Sequence, residues 1–442
     1  MVLAPLHGIA SRHDLPLPFP FVVIGAGVAL VVSFVVLGLA WKRPRYAVAA
    51  GPELPRLTRF VDGPGTRPVA RVVVLLVYVL VGAALVAGPD TLNNPVFGFV
   101  FVWMWVGLVP LSLLLGPFWR ATNPLRTLHR LLCALARTDP RAGLVELPRW
   151  VGTWPAAIHL AAFTWLELVQ PDRTTLPVMR IWALAWLVVV VIGAVAFGQR
   201  WFAVSDPFEV YSTTVARLSP WHRTGDTLRL VNPLAALTAW RPGPGAVGVV
   251  AVLLGSTAFD SFTNTSWWIR TIQSTSVPPV LFATAGLLVM IAIVLVSFTA
   301  AAAWMARYGT GLQGTGRATS YARAMAGSLV PIVVGYAVAH YFTLLVIEGQ
   351  KVAVNLSDPL GRGWNLFGTA GLQPDSSIAN HPTAIALVQL VAIVAGHVLG
   401  AVTAHEKAVS LLPPDKALKG QVPMLVLMVG YTSAGLVLLF SP

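Results

Sequence analysis

The sequence predicts an all-α protein, a polytopic integral membrane bundle of about ten transmembrane helices with amphipathic helices on its inner face. Three observations predict this. Of the 442 residues, 56% are hydrophobic and only 11% charged, where a soluble domain carries roughly a quarter charged residues. Apolar runs of about 20 residues recur along the whole chain, each long enough to cross a hydrocarbon core of roughly 30 Å. The basic residues gather in alternate loops, as a fixed membrane orientation requires. The stretches between runs are too short for a separate soluble domain. Residues 1–442 therefore read as a single transmembrane domain, with an external N-terminal hook at 1–19 and an external loop at 349–380 that is long and aromatic enough to serve as a lid.

The runs fall at 20–41, 69–88, 94–117, 150–170, 178–200, 244–262, 278–305, 325–349, 382–404 and 422–440. The first is preceded by a Pro-rich stretch without a basic cluster and followed by Lys42, Arg43 and Arg45. That order reads as a segment that inserts with its N-terminus outward and stays, not as a cleavable signal. With the N-terminus outside, the inner loops begin at Lys42, Arg120, Arg200, Arg307 and His405. Only Arg12, Arg173, Arg180, Arg270, Lys351 and Arg362 of the 30 Lys and Arg residues then lie outside, leaving 24 inside. The assignment puts the chain in the plasma membrane with both termini on the outer side. Trp41, Trp119, Trp150, Trp201, Trp267, Trp268 and Trp304 fall at the ends of runs, as an aromatic belt does. The net charge of +13 is thus topogenic and suited to anionic lipid, and it does not point to nucleic acid. The lone cysteine, Cys133, excludes an internal disulfide framework and a thiolate metal cluster.

A weak internal repeat follows the third and fifth runs. Thr122-Asn123-Pro124 and Ser205-Asp206-Pro207 each place an N-cap side chain before a proline at the first helical position, and Asn232-Pro233 repeats the signal. Both following helices read as amphipathic surface helices. In the first, Leu125, Leu128, Leu132 and Leu135 oppose Arg126, Arg130 and Arg137.

Ionisable side chains inside a span are functional candidates, because each costs several kcal/mol unless paired or hydrated. Glu167 and Asp260 lie near outer ends, His340 and Glu348 lie on the eighth run, and His159, His397 and His405 lie deeper. At 1.5 Å per residue, His340 and His397 differ by about 10 Å in depth, too far for one metal ion. The sharp reading is an outward-open cavity lined by His340, Asp260, Glu348 and Glu167, with His7 and His13 at its rim. The carboxylates Asp260, Glu348 and Glu167 would be catalytic. His340, His7 and His13 would hold a divalent metal ion, whose bound water is a hydrolytic nucleophile. The plainer reading pairs each group locally: His340 with Tyr336, Asp260 with Ser256, and Glu348 reaching toward water. No Walker-type loop, Gly-x-Ser-x-Gly elbow or His-Glu-x-x-His motif is present.

Several segments carry a resemblance. They are His7-Gly8, His13-Asp14-Leu15-Pro16, Gly198-Gln199-Arg200-Trp201, Ser205-Asp206-Pro207-Phe208-Glu209-Val210-Tyr211-Ser212, and Gly255-Ser256-Thr257-Ala258-Phe259-Asp260. The set is completed by His340-Tyr341-Phe342-Thr343, Ser357-Asp358-Pro359-Leu360-Gly361, Gly396-His397-Val398-Leu399-Gly400 and Ala404-His405-Glu406. In these, over its full length, the chain resembles a family of prokaryotic, mainly actinobacterial, membrane proteins labelled fenitrothion hydrolase. The resemblance implies a hydrolase of organophosphorus esters and assigns no catalytic residue. Three classes stay open: a membrane hydrolase of small (phospho)esters, a transporter or ion/metal permease, and an accessory subunit with a protein partner in a membrane complex. All have the lipid bilayer as partner, and the first two a small-molecule or ion substrate. The orientation is checked with introduced cysteines. Those in 349–380 react with an impermeant thiol reagent on intact cells and those near Arg137 do not, and the reverse pattern overturns the assignment.

Overall fold

The computed structural model describes residues 14–46, 51–309, 312 and 317–440, so His7 and His13 lie outside the described residues. In chain order its main helices are α1 (Phe19–Ala40), α2 (Thr66–Ala87), the bent pair α3 (Pro95–Met104) and α4 (Leu108–Leu115), α5 (Pro124–Leu135), α6 (Trp154–Leu168) and α7 (Leu176–Phe197). There follow α8 (Pro207–Val215), α9 (Ala246–Thr263), α10 (Ser266–Ser274), α11 (Pro279–Ala306), α12 (Arg317–Met325), α13 (Val330–Asn355), α14 (Pro382–Leu411) and α15 (Ala417–Phe440). Among the described residues eight helical segments are long and apolar enough to cross a membrane, or nine when the α3–α4 pair, bent by 45°, counts as one. The protein is an all-α, multi-pass membrane bundle.

Two predicted runs take a different form. At 94–117 the residues Phe99–Met104 wind as a π-helix and an α-helix resumes at Leu108, which produces the bend. At 150–170 the helix is only the 15-residue α6. Pro155 confines its start and Pro171 follows its end, and at 1.5 Å per residue it spans only about 22 Å. The eighth run is longer than expected, since α13 continues to Asn355 and takes in the first turns of the predicted external loop.

The chain forms two compact units. One comprises Met1–Ala49, Asn232–Thr343 and Ser377–Pro442, and the other Ala50–Val231 and Leu344–Ser376. In the first, α9 is the most enclosed span, with 83% of its apolar window buried. It packs on α11, and Gly255 permits the contact, because a Cβ there would stand 2.7 Å from Ile291 Cα. A second close crossing joins α13 to α14. A Cβ on Gly396 would stand 2.7 Å from the Pro331 carbonyl oxygen, and one on Gly335 would run into Ala392. Gly396 and Gly400 form a small-xxx-small stripe, the sequence device that lets helix backbones approach in lipid. Around this crossing Tyr336, Ala339, Ile385, Ala386, Ile393 and Leu436 build an apolar core.

In the second unit, α2 has only 11% of its window buried and presents Val69, Val72, Val73, Leu76 and Val79 outward, as a lipid-facing helix does. A hairpin of β1 (Trp221–Thr224) and β2 (Thr227–Leu230), turning at Gly225, pairs antiparallel, and Arg223 binds Asp62 beside it. The three expected caps form: Asn123 accepts from the N–H groups of Leu125 and Arg126, Asp206 from those of Phe208 and Glu209, and Asn232 from that of Leu234. The helices after the first two caps differ. α5 exposes Leu128, Leu131, Leu132 and Leu135, in keeping with an amphipathic surface helix, whereas α8 is buried along nearly its whole length. The surface placement expected for α8 is therefore corrected. Ser212 bonds to Ser112, Thr214 to the Val210 carbonyl and Glu209 to Arg126, so most of its polar face is satisfied inside the unit.

Replacing Gly396 by Leu inserts a side chain where a backbone carbonyl stands, and overpacking of this kind removes about 1–3 kcal/mol. The melting temperature in detergent falls for Gly396→Leu and not for Gly430→Leu, whose Cβ meets open space. Equal melting of the two variants contradicts the crossing.

Candidate functional site

The polar groups of the first unit converge where the last turn of α9 meets the middle of α13. His340 Nε2 lies 2.8 Å from Asp260 Oδ2, and the Tyr341 hydroxyl donates to the same oxygen at 3.0 Å. On the other side of the ring, His340 Nδ1 lies 3.1 Å from Ser261 Oγ. The Tyr336 hydroxyl donates to Ser261 Oγ at 2.8 Å. Ser261, His340 and Asp260 are 1%, 2% and 5% exposed, so each depends on the others for its hydrogen bonds.

The directions of these bonds follow from the donors available. An ionised carboxylate only accepts, so Nε2 of His340 donates to Asp260, and in the neutral imidazole Nδ1 is then left to accept from Ser261. Tyr336 donates to Ser261 Oγ, which leaves the serine proton for His340. The array therefore runs Tyr336 to Ser261 to His340 to Asp260, with Tyr341 closing on the carboxylate. Ser261 differs from three other span hydroxyls. Thr257, Thr403 and Thr432 bond back to carbonyls of their own helices at 2.8 Å, the usual habit of a helical hydroxyl. Ser261 instead faces a histidine from another helix.

The helices explain this placement. Asp260 and Ser261 are adjacent, so a helix turns them about 100° apart and a single imidazole from α13 bridges both. Tyr336 and Tyr341 flank His340 on α13. The Tyr336 ring lies in the apolar core while its hydroxyl reaches the array, and the Tyr341 ring stands edge-on to the imidazole at 4.6 Å.

Of the sequence-predicted residues, the structure brings Asp260 and His340 together. Glu167 and Glu348 belong to the second unit, where Glu348 pairs with Lys351 at 2.6 Å. Among the described residues no group of three or more His, Cys, Asp or Glu side chains converges as a metal site would. The local pairings take another form: Ser256 bonds to the Leu253 carbonyl, and Tyr336 reaches Ser261 in place of His340. Ser261 and Tyr341 were not singled out in the sequence. The dipeptide Asp260-Ser261 at the end of an apolar helix is the signal that was available for the serine. His159 Nδ1 meets the Ser205 carbonyl at 2.7 Å, and His405 is held between Gln421 Oε1 and the Trp41 carbonyl. The external loop is ordered by internal bonds: Asp358 accepts from the N–H groups of Arg362 and Gly363, and Ser357 from that of Phe367. Its Trp364 and Phe367 side chains stay exposed.

The chain matches no protein-family model, no curated protein and no solved structure. Its chemistry therefore has to be read from its own side chains.

The second unit holds another buried network. Arg126 grips Glu209 through Nε at 3.1 Å and Nη2 at 2.6 Å, and its third nitrogen donates to the Gln199 carbonyl at 3.0 Å. Asn123 Nδ2 donates to Asp206 Oδ2 at 2.7 Å and to Glu209 Oε2 at 3.2 Å. The two cap residues thereby join the two helices that they start. Burial, and after it the charge of Glu209, push Asp206 up from 3.8 to about 6. A raised acid stabilises the fold below its unfolded value, and that contribution is lost as pH rises through about 6. Every group here is tied to another protein group, the arrangement of a structural clamp.

Removing one partner of a buried pair costs about 3–5 kcal/mol, and removing both costs less. Arg126→Met lowers the melting temperature strongly, and the double variant Arg126→Met/Glu209→Gln regains part of the loss. Additive losses would show that the pair is not coupled.

Proposed function

We propose that the protein is a membrane-embedded hydrolase of small (phospho)ester substrates, with Ser261 as nucleophile, His340 as general base and Asp260 as the group that orients the imidazole. The observation that carries this reading is the single ring of His340 set between Ser261 Oγ at 3.1 Å and Asp260 Oδ2 at 2.8 Å. Serine, imidazole and carboxylate in this order are the parts of a serine-hydrolase triad, here with the roles of the two ring nitrogens exchanged: Nδ1 faces the serine and Nε2 the aspartate.

The chemistry follows from the bond directions. As Ser261 Oγ forms its bond to the phosphorus or acyl carbon, its proton passes to His340 Nδ1. Asp260 holds Nε2–H and stabilises the imidazolium. The departing alkoxide takes the proton from Nδ1 as its bond to the substrate centre breaks. Water then gives a proton to His340 and hydrolyses the seryl ester, which restores Ser261. Tyr336 steers the Oγ–H toward the ring. The loop charges support a plasma-membrane location with outer termini and an outward site, and the resemblance to proteins labelled fenitrothion hydrolase supports the substrate class.

Proton-coupled transport is the second reading, favoured by the burial of the Asp260–His340 pair inside spans. A fluorophosphonate probe separates the two. Under the hydrolase reading it labels the wild type in membranes, Ser261→Ala is not labelled, and Asp260→Asn is slowed about 10³–10⁴-fold. Labelling of Ser261→Ala at the wild-type rate overturns the serine assignment. Proton flux in proteoliposomes that needs Asp260 but not Ser261 supports transport.

A further inference from the structure

Within the first unit, α1, α11, α12, α14 and α15 enclose a small apolar cavity of about 10 Å³, room for one water-sized sphere or a single ion. Four of the chain's eight methionines line it: Met305, Met325, Met424 and Met428. They come from three helices and are 0%, 1%, 2% and 2% exposed. Methionine often fills irregular core gaps, but gap-filling does not require four thioethers around one ion-sized void. A neutral, soft, sulfur-rich shell is the coordination preference of Cu(I). It discriminates against Mg²⁺ and Ca²⁺, which require oxygen ligands.

One further feature suits a soft cation. His397 lies one turn before Ala401, a lining residue of the cavity. Its Nδ1 is tied to the Ile393 carbonyl at 2.9 Å, and its Nε2 has no hydrogen-bond partner although the residue is 1% exposed. A neutral imidazole fixed through one nitrogen with the other lone pair open is the form that ligates metals. Gln421, which also lines the cavity, is bonded to His405, and the neighbouring carboxylate of Glu406 accepts from the N–H groups of Trp41, Arg45 and Tyr46.

We infer that this cavity is a Cu(I) site built from the thioethers of Met305, Met325, Met424 and Met428. It is separate from the Ser261–His340–Asp260 array and stands whether or not that array is hydrolytic. The test is anaerobic titration of the full-length protein in detergent with Cu(I) against a chromogenic Cu(I) chelator. One Cu(I) per chain is held against the chelator, and Met424→Leu/Met428→Leu, a volume-conserving change, weakens binding at least tenfold. Loss of all copper to the chelator in the wild type, or unchanged affinity when all four methionines are leucine, overturns the assignment. X-ray absorption of the copper-loaded wild type gives a check that needs no variant. Sulfur scatterers are expected, and a shell of nitrogen and oxygen alone would exclude the thioether site.

Discussion

Asp260 is a carboxylate inside a helix that lipid and protein keep from water, and the polar architecture of the first unit follows from supplying it with donors. Bulk water is not available to solvate it, so an imidazole and a phenol must. His340 and Tyr341 meet that need from one helix. When the imidazole is neutral and its Nε2–H is committed to Asp260, the opposite nitrogen is an acceptor, and Ser261 is the hydroxyl placed to use it. Tyr336 then completes the serine's hydrogen bonding while its ring extends the apolar core. One requirement, the satisfaction of a buried charge, orders five side chains on two helices. That order is also what gives the serine a base.

The same physics has a different result in the second unit. There Glu209 is met by a guanidinium and Asp206 by an asparagine, a tryptophan N–H and the amides of its own cap. Both caps spend one oxygen on their helix and the remaining group on each other. The outcome is rigidity, since no hydroxyl faces an unprotonated imidazole nitrogen. The contrast lies in residue type: a histidine between serine and aspartate can carry a proton between them, whereas arginine between carboxylate and carbonyl can only hold them.

The close crossings set the distances on which the array depends. Gly255 draws α9 onto α11, and Gly335 with Gly396 brings α13 onto α14. With side chains at these positions α9 and α13 would lose their seats, and bonds of 2.8 to 3.1 Å would not survive shifts of an ångström. The methionine-lined cavity lies elsewhere in the same unit, sharing only α11 and α14 with these crossings. There four methionines, not glycines, line the space left where five helices meet.

By itself the sequence determined the membrane-spanning all-α class, the approximate place of nearly every span, the three capped helix starts and the candidacy of Asp260 and His340. These rest on local quantities: apolar run length, a cap side chain before proline, and the rarity of charge in lipid. Tertiary structure alone decided the rest. Glu167 and Glu348 were as eligible as Asp260 by composition, but only the packing of α9 on its neighbours turns Asp260 and Ser261 toward His340, while Glu348 finds Lys351 one turn away. Ser261 was invisible as a candidate because a helical serine ordinarily bonds to its own backbone, and nothing local says that this one does not. The burial of α8 and the meeting of four methionines likewise depend on which faces oppose one another. Periodicity along one helix states which residues share a face, and it is silent on what that face meets.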